Sequence, residues 1–337
     1  MGIHCPIIRQ GDDLQKIVID SILKTTELED GDVIGITESV VARAQGNYVT
    51  VDEVAQETVR LFGENPELVL LEPIYSRNRF SMILKGIARA AKAIYLIMPP
   101  YDEVGNPRGV NPWTGVDIPT YYLQICKSEN CECCFYFPSM MYATARKVQF
   151  LDCKLHNWTK GYKTLKDYFP DKCEWGLLGS NKANEETLKL FPNKVEGSKL
   201  VNSIQQTIRE KLSISVSVMI YGDGAYKDPD SNIWEWADPV CSPAYTAELD
   251  DSPNEIKLKA FADDKYKLLS GKELETVIKS EISKKDSSLK GTMASQGTTP
   301  RRYVNLLSSL MDLTSGSGDK GTPVVLVKNY FKNYASC

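Results

Sequence analysis

Histidine is scarce: the 337 residues contain only two, His4 and His156. Neither stands in a motif, so chemistries that need imidazoles to ligate zinc or shuttle a nucleophile's proton have little to work with. Long apolar runs are lacking too. The longest, around Ile94–Met98, is far too short to span a bilayer. The opening MGIHCPIIRQGDD has neither the basic start nor the apolar core of a secretion signal, so a cytoplasmic protein with no membrane partner is expected. There is no basic excess either. With 40 Lys and Arg against 44 Asp and Glu, the net charge is −4, which argues against a nucleic-acid partner. Nine cysteines, an odd number, do not suit a disulfide framework in such a chain. No internal repeat or low-complexity tract appears.

What is present fits a globular protein. Hydrophobic residues make up 42% and charged residues 25%, enough for one elaborated domain or two. Residues 12–24 carry helical periodicity, with Leu14, Ile17, Val18 and Ile22 on one face. A strand DVIGIT follows, then a helical ESVVARAQG stopped by its glycine. A second helix is expected at about 52–62, and RFSMILKGIARAAK (79–92) reads as a segment close against the core. Ala93–Met98 reads as a buried strand, helices are expected at 196–212 and 272–290, and a strand at 213–221. Near the end, Thr299–Pro300 forms an N-cap and first-turn pair for a helix whose apolar face is Leu306, Leu307, Leu310 and Leu313. A Gly/Ser-rich loop and a buried strand, PVVLV, complete the unit. Residues 107–195 differ: rich in Trp, Tyr, Cys, Pro and Lys, with few periodic elements, they read as an insertion.

Several motifs carry chemistry. Cys126, Cys131, Cys133 and Cys134 offer four soft ligands, but C-x4-C-x-C-C matches no zinc knuckle, and buried or free thiols are the favoured reading. Asp228-x-Asp230-x-Asn232 opens like a calcium loop, yet its sixth position is Ile233 and its twelfth Pro239, so that reading fails. TSGSGDKGT (314–322) is not a Walker motif, because the order is helix–loop–strand and Thr322 follows the second glycine. Closely spaced glycines nevertheless let successive backbone N–H groups face one anion, and Lys320 adds a point charge; a loop without a ligand reads equally well. Acids collect after strands: Asp102 and Glu103 after the strand near 97, and Asp223, between two glycines, after the strand near 218. Ligand sites in open α/β sheets lie beyond such strand ends. With Arg77, Arg79, Lys85, Arg301 and Arg302 nearby in sequence, the set suits Mg²⁺ bound by one or two carboxylates and substrate phosphates.

In order, these pieces resemble the coenzyme F420-0 gamma-glutamyl ligase family. The resemblance rests on Pro6–Arg9 with Gly11–Leu14, the Gly31–Val33 strand start, the turn Ala42–Gly46, and Ser315–Lys328. It covers about 1–106 and 196–330. It implies an α/β fold with mixed sheets, a core of 1–106 plus 196–337, and an inserted substrate or lid region at 107–195. It also implies condensation of glutamate with a carboxylate-bearing small molecule, using GTP or ATP and Mg²⁺ or Mn²⁺, by a homodimer; a metal-dependent nucleotide phosphohydrolase and a non-catalytic nucleotide-binding member of the family are the alternative readings. Residue by residue, it assigns Asp102 and Asp223 to metal and catalysis. It assigns Pro6, Ile7, Ile8, Arg9, Glu38, Ser39, Arg43, Asn106 and the loop Ser315, Gly316, Ser317, Gly318, Asp319, Lys320, Gly321 and Thr322 to the nucleotide. Arg77 and Arg79 are expected to hold substrate carboxylates. An alternative alignment places the family's G-I-D-x-S-N segment on Leu177–Asn181, with Leu178 where the metal carboxylate belongs; the Asp102–Asn106 alignment is preferred. Gly224 departs from the family's hydroxyl residue after the second aspartate, and Arg43 and Gln45 from its early Lys and Glu.

Overall fold

The computed structural model describes residues 1–71, 77–98, 109–110, 115–136, 155–157, 161–227, 234–250, 258, 261–284, 302–316 and 318–335. In chain order its elements begin β1 (Gly2–Ile3), α1 (Leu14–Thr25), β2 (Val33–Thr37), α2 (Glu38–Gln45), β3 (Tyr48–Thr50), α3 (Val51–Phe62), β4 (Glu67–Leu71), α4 (Arg77–Ala90), β5 (Ala93–Ile97) and α5 (Ile118–Ser128). They continue with β6 (Glu132–Tyr136), β7 (Leu155–Asn157), β8 (Gly161–Lys163), β9 (Ser180–Asn184), β10 (Thr187–Leu190) and α6 (Lys194–Leu212). Last come β11 (Ser217–Lys227), β12 (Trp234–Tyr245), α7 (Gly271–Ser283), α8 (Tyr303–Ser315) and β13 (Val324–Val327). Local chemistry fixes many boundaries. The Asp13 carboxylate accepts from Lys16 N at 3.0 Å to start α1. Thr50 and Glu53 form a reciprocal capping box at α3. Gly46, at φ 66°, ends α2 in the left-handed conformation.

Three sheets result, ordered β1-β13-β2-β11-β12, β3-β10-β9 and β6-β5-β4-β7-β8. The α/β expectation with mixed sheets holds: β2–β11, β4–β5 and β5–β6 are parallel, and the remaining ladders antiparallel. β2 is buried on both faces, as its apolar run VIGIT suggests. Ile34 and Ile36 pack with α1 and α6, while Val33 packs with Val304, Leu307 and Met311 of α8. Gly35 between them leaves room for the Met311 side chain, whose sulfur lies 2.1 Å from where a Cβ would stand. Among the described residues no helix is long and apolar enough to cross a membrane.

The expected insertion at 107–195 is not a separate addition to the core. Its strands β9 and β10 join β3, and β6, β7 and β8 complete the sheet of β4 and β5. One buried cluster runs from Val49 through Met98 to Tyr122, Cys126, Leu177 and Phe191. The packing therefore divides near residues 46–47 and 191–194, giving a first unit built on β2 and a second unit spanning about 47–191. Both crossings lie side by side: Leu190 N donates to Asn47 O at 2.9 Å, and Asn47 Nδ2 donates to Phe191 O at 2.6 Å. The sequence hides this unit because aromatic and cysteine residues replace the usual aliphatic periodicity, and buried cysteines pack as small hydrophobes.

Two further expectations change. The buried face of α8 is Val304, Leu307, Ser308 and Met311, whereas Leu310 and Leu313 are exposed. Its cap position is Arg302; Thr299–Pro300 lies outside the described residues. The strand expected to stop at residue 221 continues to Lys227 and forms an antiparallel pair with β12, its register shifting at Gly222 and Gly224. Asp223 thus lies within a bulged antiparallel ladder and not beyond the strand's end; Asp228, Asp230 and Asn232 lie outside the described residues.

Helices α3 and α4 pack closely because Gly86 has no side chain: a Cβ there would stand 2.5 Å from Val54 Cγ1 and 3.2 Å from the Val51 carbonyl. Gly86→Val is expected to destabilise the protein by about 1–3 kcal/mol, since overpacking outweighs the helix-propensity gain of under about 1 kcal/mol. Urea denaturation checks this, and an unchanged midpoint would contradict the packing.

Candidate functional site

Beyond the carboxyl end of β2, where Thr37 N donates to Pro323 O at 2.9 Å, four segments converge. The N-terminal stretch is fastened by Cys5 N donating to Gly321 O at 3.2 Å. Helix α2 begins there with Glu38 and Ser39. The glycine loop follows α8, and the second unit presents β9 and β10. Together they enclose a cleft of about 580 Å³, lined on the first unit's side by Pro6, Ile7, Ile8, Ser39, Arg43, Ser315, Gly316, Gly318, Gly321 and Thr322. Tyr48, Lys182, Ala183 and Lys189 line it from the second unit.

The loop is held by its own side chains. Thr322 Oγ1 donates to Ser315 O at 2.9 Å, and Lys320 Nζ donates to Thr314 O at 3.2 Å. Gly316 and Gly321 both sit at φ 67°, a conformation that favours glycine. Gly318 differs: a Cβ there would meet no atom within 4 Å, so its backbone borders open cleft. Two acid-base groups nearby are held protonated. Burial pushes the Cys5 thiol up, and burial pushes Tyr221 up to about 12.

One corner of the cleft is ionic and dry. Glu38 is buried at 4% exposure. Its Oε1 accepts from Asn181 Nδ2 at 3.3 Å and lies 3.5 Å from Lys189 Nζ, which also donates to Ser39 Oγ. Gly222 of β11 packs on this side chain, with a notional Cβ 1.9 Å from Glu38 Cγ. Asp223 follows at once in β11; its side chain, like that of Arg77, lies outside the described set.

The expected site residues separate accordingly. Pro6–Ile8, Ser39, Arg43 and most of the glycine loop come together at the cleft, with Glu38 behind it. Arg9 is exposed, its N–H bound to Asp12 at 2.6 Å, and it is not among the lining residues; Asp319 and Lys320 are also exposed outside the lining. Arg79 is buried, and its Nη1 donates to Leu178 O at 3.2 Å, which supports the turn before Asn181. Asp102, Asn106 and Ser317 lie outside the described residues. The Leu177–Asn181 segment, by contrast, delivers Asn181 to Glu38 and leaves Leu177 and Leu178 in the core. Lys182 and Lys189 were missed because their segment reads as an insertion. The signal was present in TLKLF, where alternation turns Lys189 away from the face of Leu188 and Leu190.

The cysteine cluster lies apart from the cleft. Among the described residues, no set of three or more His, Cys, Asp or Glu is arranged to hold a metal ion. Cys126 and Cys131 are buried, Cys133 is half-buried and Cys134 exposed. Hydrogen bonding to Cys131, with Cys133 and burial, pushes the Cys126 thiol up, while burial pushes Cys173 up to about 12. Maleimide at pH 8 is therefore expected to label Cys134 well before Cys126 or Cys173, with or without a chelator; chelator-dependent labelling would restore the metal reading.

Gly222→Ala forces a methyl group against the root of the Glu38 side chain, not its flexible end. A loss of about 1–3 kcal/mol in stability is expected, read by chemical denaturation. A variant as stable as the parent would mean that Glu38 does not pack on this strand.

The family model described as F420-0:Gamma-glutamyl ligase matches residues 2–329, and so runs through 107–195 as well. The chain is similar to the coenzyme F420:L-glutamate ligase of Methanothermobacter thermautotrophicus, 33% identical over 70 residues, which is 19% of this chain and 28% of that protein. It is also similar to the protein of the same name from Methanopyrus kandleri, 34% identical over 67 residues, 18% of this chain and 25% of that one. The aligned stretch thus spans only about a quarter of each relative's length. With the family model covering nearly the whole chain, this protein belongs to the F420-0:Gamma-glutamyl ligase family.

Proposed function

We propose that this protein is a nucleotide- and divalent-metal-dependent amide ligase that joins an amino acid, glutamate, to a small-molecule carboxylate through an acyl phosphate. One observation carries the reading. Segments more than three hundred residues apart, Pro6–Ile8 and Ser315–Thr322, meet Ser39 and Arg43 around one cleft, and these are segments the family resemblance assigns to nucleotide. The glutamate comes from the printed names of the two relatives.

The residues present suit a polyphosphate. The Gly318 backbone borders open space, and Arg43, Lys182 and Lys189 bring cations to the same cleft. GTP and ATP are both candidate co-substrates. Asp223 and Asp102 are the proposed metal carboxylates, and Asp223 follows Gly222, which packs on the buried Glu38 side chain. Mg²⁺ or Mn²⁺ held there would supply charge neutralisation to phosphate oxygens.

The acceptor carboxylate oxygen attacks the γ-phosphorus, the bond to the β-phosphate oxygen breaks, and nucleoside diphosphate leaves. The amino group then attacks the acyl carbonyl, phosphate leaves, and the nitrogen loses its proton as the amide forms. Arg43 and the loop N–H groups hold the phosphates through this sequence, so the nucleotide does not turn while charge moves.

Because Gly318 borders open space, Gly318→Val is expected to leave the unliganded protein as stable as the parent yet abolish thermal stabilisation by GTP and ATP. Undiminished stabilisation would remove the loop from the site. Nucleotide consumption is expected to require both amino acid and acceptor; turnover independent of any amine would make the protein a phosphohydrolase instead.

A further inference from the structure

We propose that Lys189 is a phosphate-binding residue that rests on Glu38 until nucleotide enters, an inference that rests on the nucleotide reading above and deepens it. Lys189 lies on β10 between Leu188 and Leu190, both fully buried, so strand alternation directs its side chain toward the cleft that it helps to line. The Lys189 side chain is 12% exposed and that of Glu38 only 6%. A carboxylate so far from water needs compensation, and Lys189, Asn181 and the surrounding polar groups supply it.

The pair is built to be traded. At 3.5 Å the ammonium is beyond the usual charge-assisted hydrogen-bond distance from Glu38 Oε1, so this attraction is coulombic, and the ammonium's hydrogen bond goes instead to the neutral Ser39 hydroxyl, a weaker partner than a phosphate. An ammonium on a flexible stem has three donors and no preferred plane, so it can swing between two anions more readily than a guanidinium. An arriving polyphosphate repels Glu38 and attracts Lys189, with Arg43 and Lys182 on neighbouring walls of the same cleft. Glu38 is thus a resting counter-ion and a competitor of the phosphate.

The opposing possibility is a structural tie, since α2 belongs to the first unit and β10 to the second. The two roles give opposite signs. Glu38→Gln and Lys189→Met break the same pair, so a tie predicts that both weaken nucleotide binding together. The proposed exchange predicts that Lys189→Met weakens binding about tenfold or more, the effect of losing one charge-assisted contact. It predicts that Glu38→Gln tightens binding severalfold.

Isothermal titration of the full chain with GTP, ATP and inorganic triphosphate, with thermal unfolding of each unliganded variant alongside, separates the outcomes. A parent protein that binds none of the three probes removes the nucleotide reading and this inference with it. A parent that binds while Lys189→Met binds equally well overturns the inference alone, as does weaker binding by Glu38→Gln. Should Lys189→Met fail to fold, Lys189→Gln, which keeps a polar head but no charge, and Glu38→Gln decide the question by the same signs.

Discussion

The cleft depends on how β2 is held. β2 lies between β13 and β11 with every one of its residues except Thr37 buried, so it can neither slip nor tilt without exposing both faces. Its end therefore fixes three things at once. Thr37 binds Pro323 at the foot of the glycine loop, Glu38 begins α2 without a linker, and Tyr221 pairs beside Thr37 so that Gly222 meets Glu38. A one-residue slip would turn Ile34 and Ile36 away from α1 and α6 and pull all three apart. The site's geometry is thus a result of hydrophobic burial several residues away.

Charge then acts within that frame. Arg43, Lys182 and Lys189 face a cleft in a protein whose net charge is −4, so the local field opposes the overall one. Such a concentration of cations costs stability unless something compensates it, and Glu38 and Asp312 lie close by. The loop contributes dipoles in place of charges. Gly316 and Gly321 accept backbone angles that other residues resist and donate their own N–H groups to Asp312 O and Gly318 O, which turns the loop so that the Gly318 backbone borders open space.

The sequence was most legible where one physical signal acted alone. Helices α1, α2, α3 and α6 and strand β2 follow directly from periodicity, capping residues and a terminating glycine. Several residues that line the first unit's side of the cleft, Pro6–Ile8, Ser39, Arg43 and part of the glycine loop, stood out together in the sequence, because close glycines and a family-like turn leave traces in one dimension. Three things were obscured. Leu310 and Leu313 read as core because a leucine carries no mark of which face it occupies, and Met311, set against Gly35, took that place. The second unit read as an insertion because its strands complete sheets begun about forty to a hundred and forty residues earlier. Lys182 and Lys189 were hidden with it, since their meaning depends on a pairing between β3 and β10 that no local pattern announces.

The two crossings stitched together by Asn47 also matter for the history of such a chain. Because residues 47–191 enter and leave the first unit at a single seam, changes of length or composition within them need not disturb the ladder that holds β2. What such changes do reach is the wall carrying Lys182 and Lys189. One side of the cleft is tied to the ladder that holds β2, while the other is carried by a unit that can change in length without breaking that ladder.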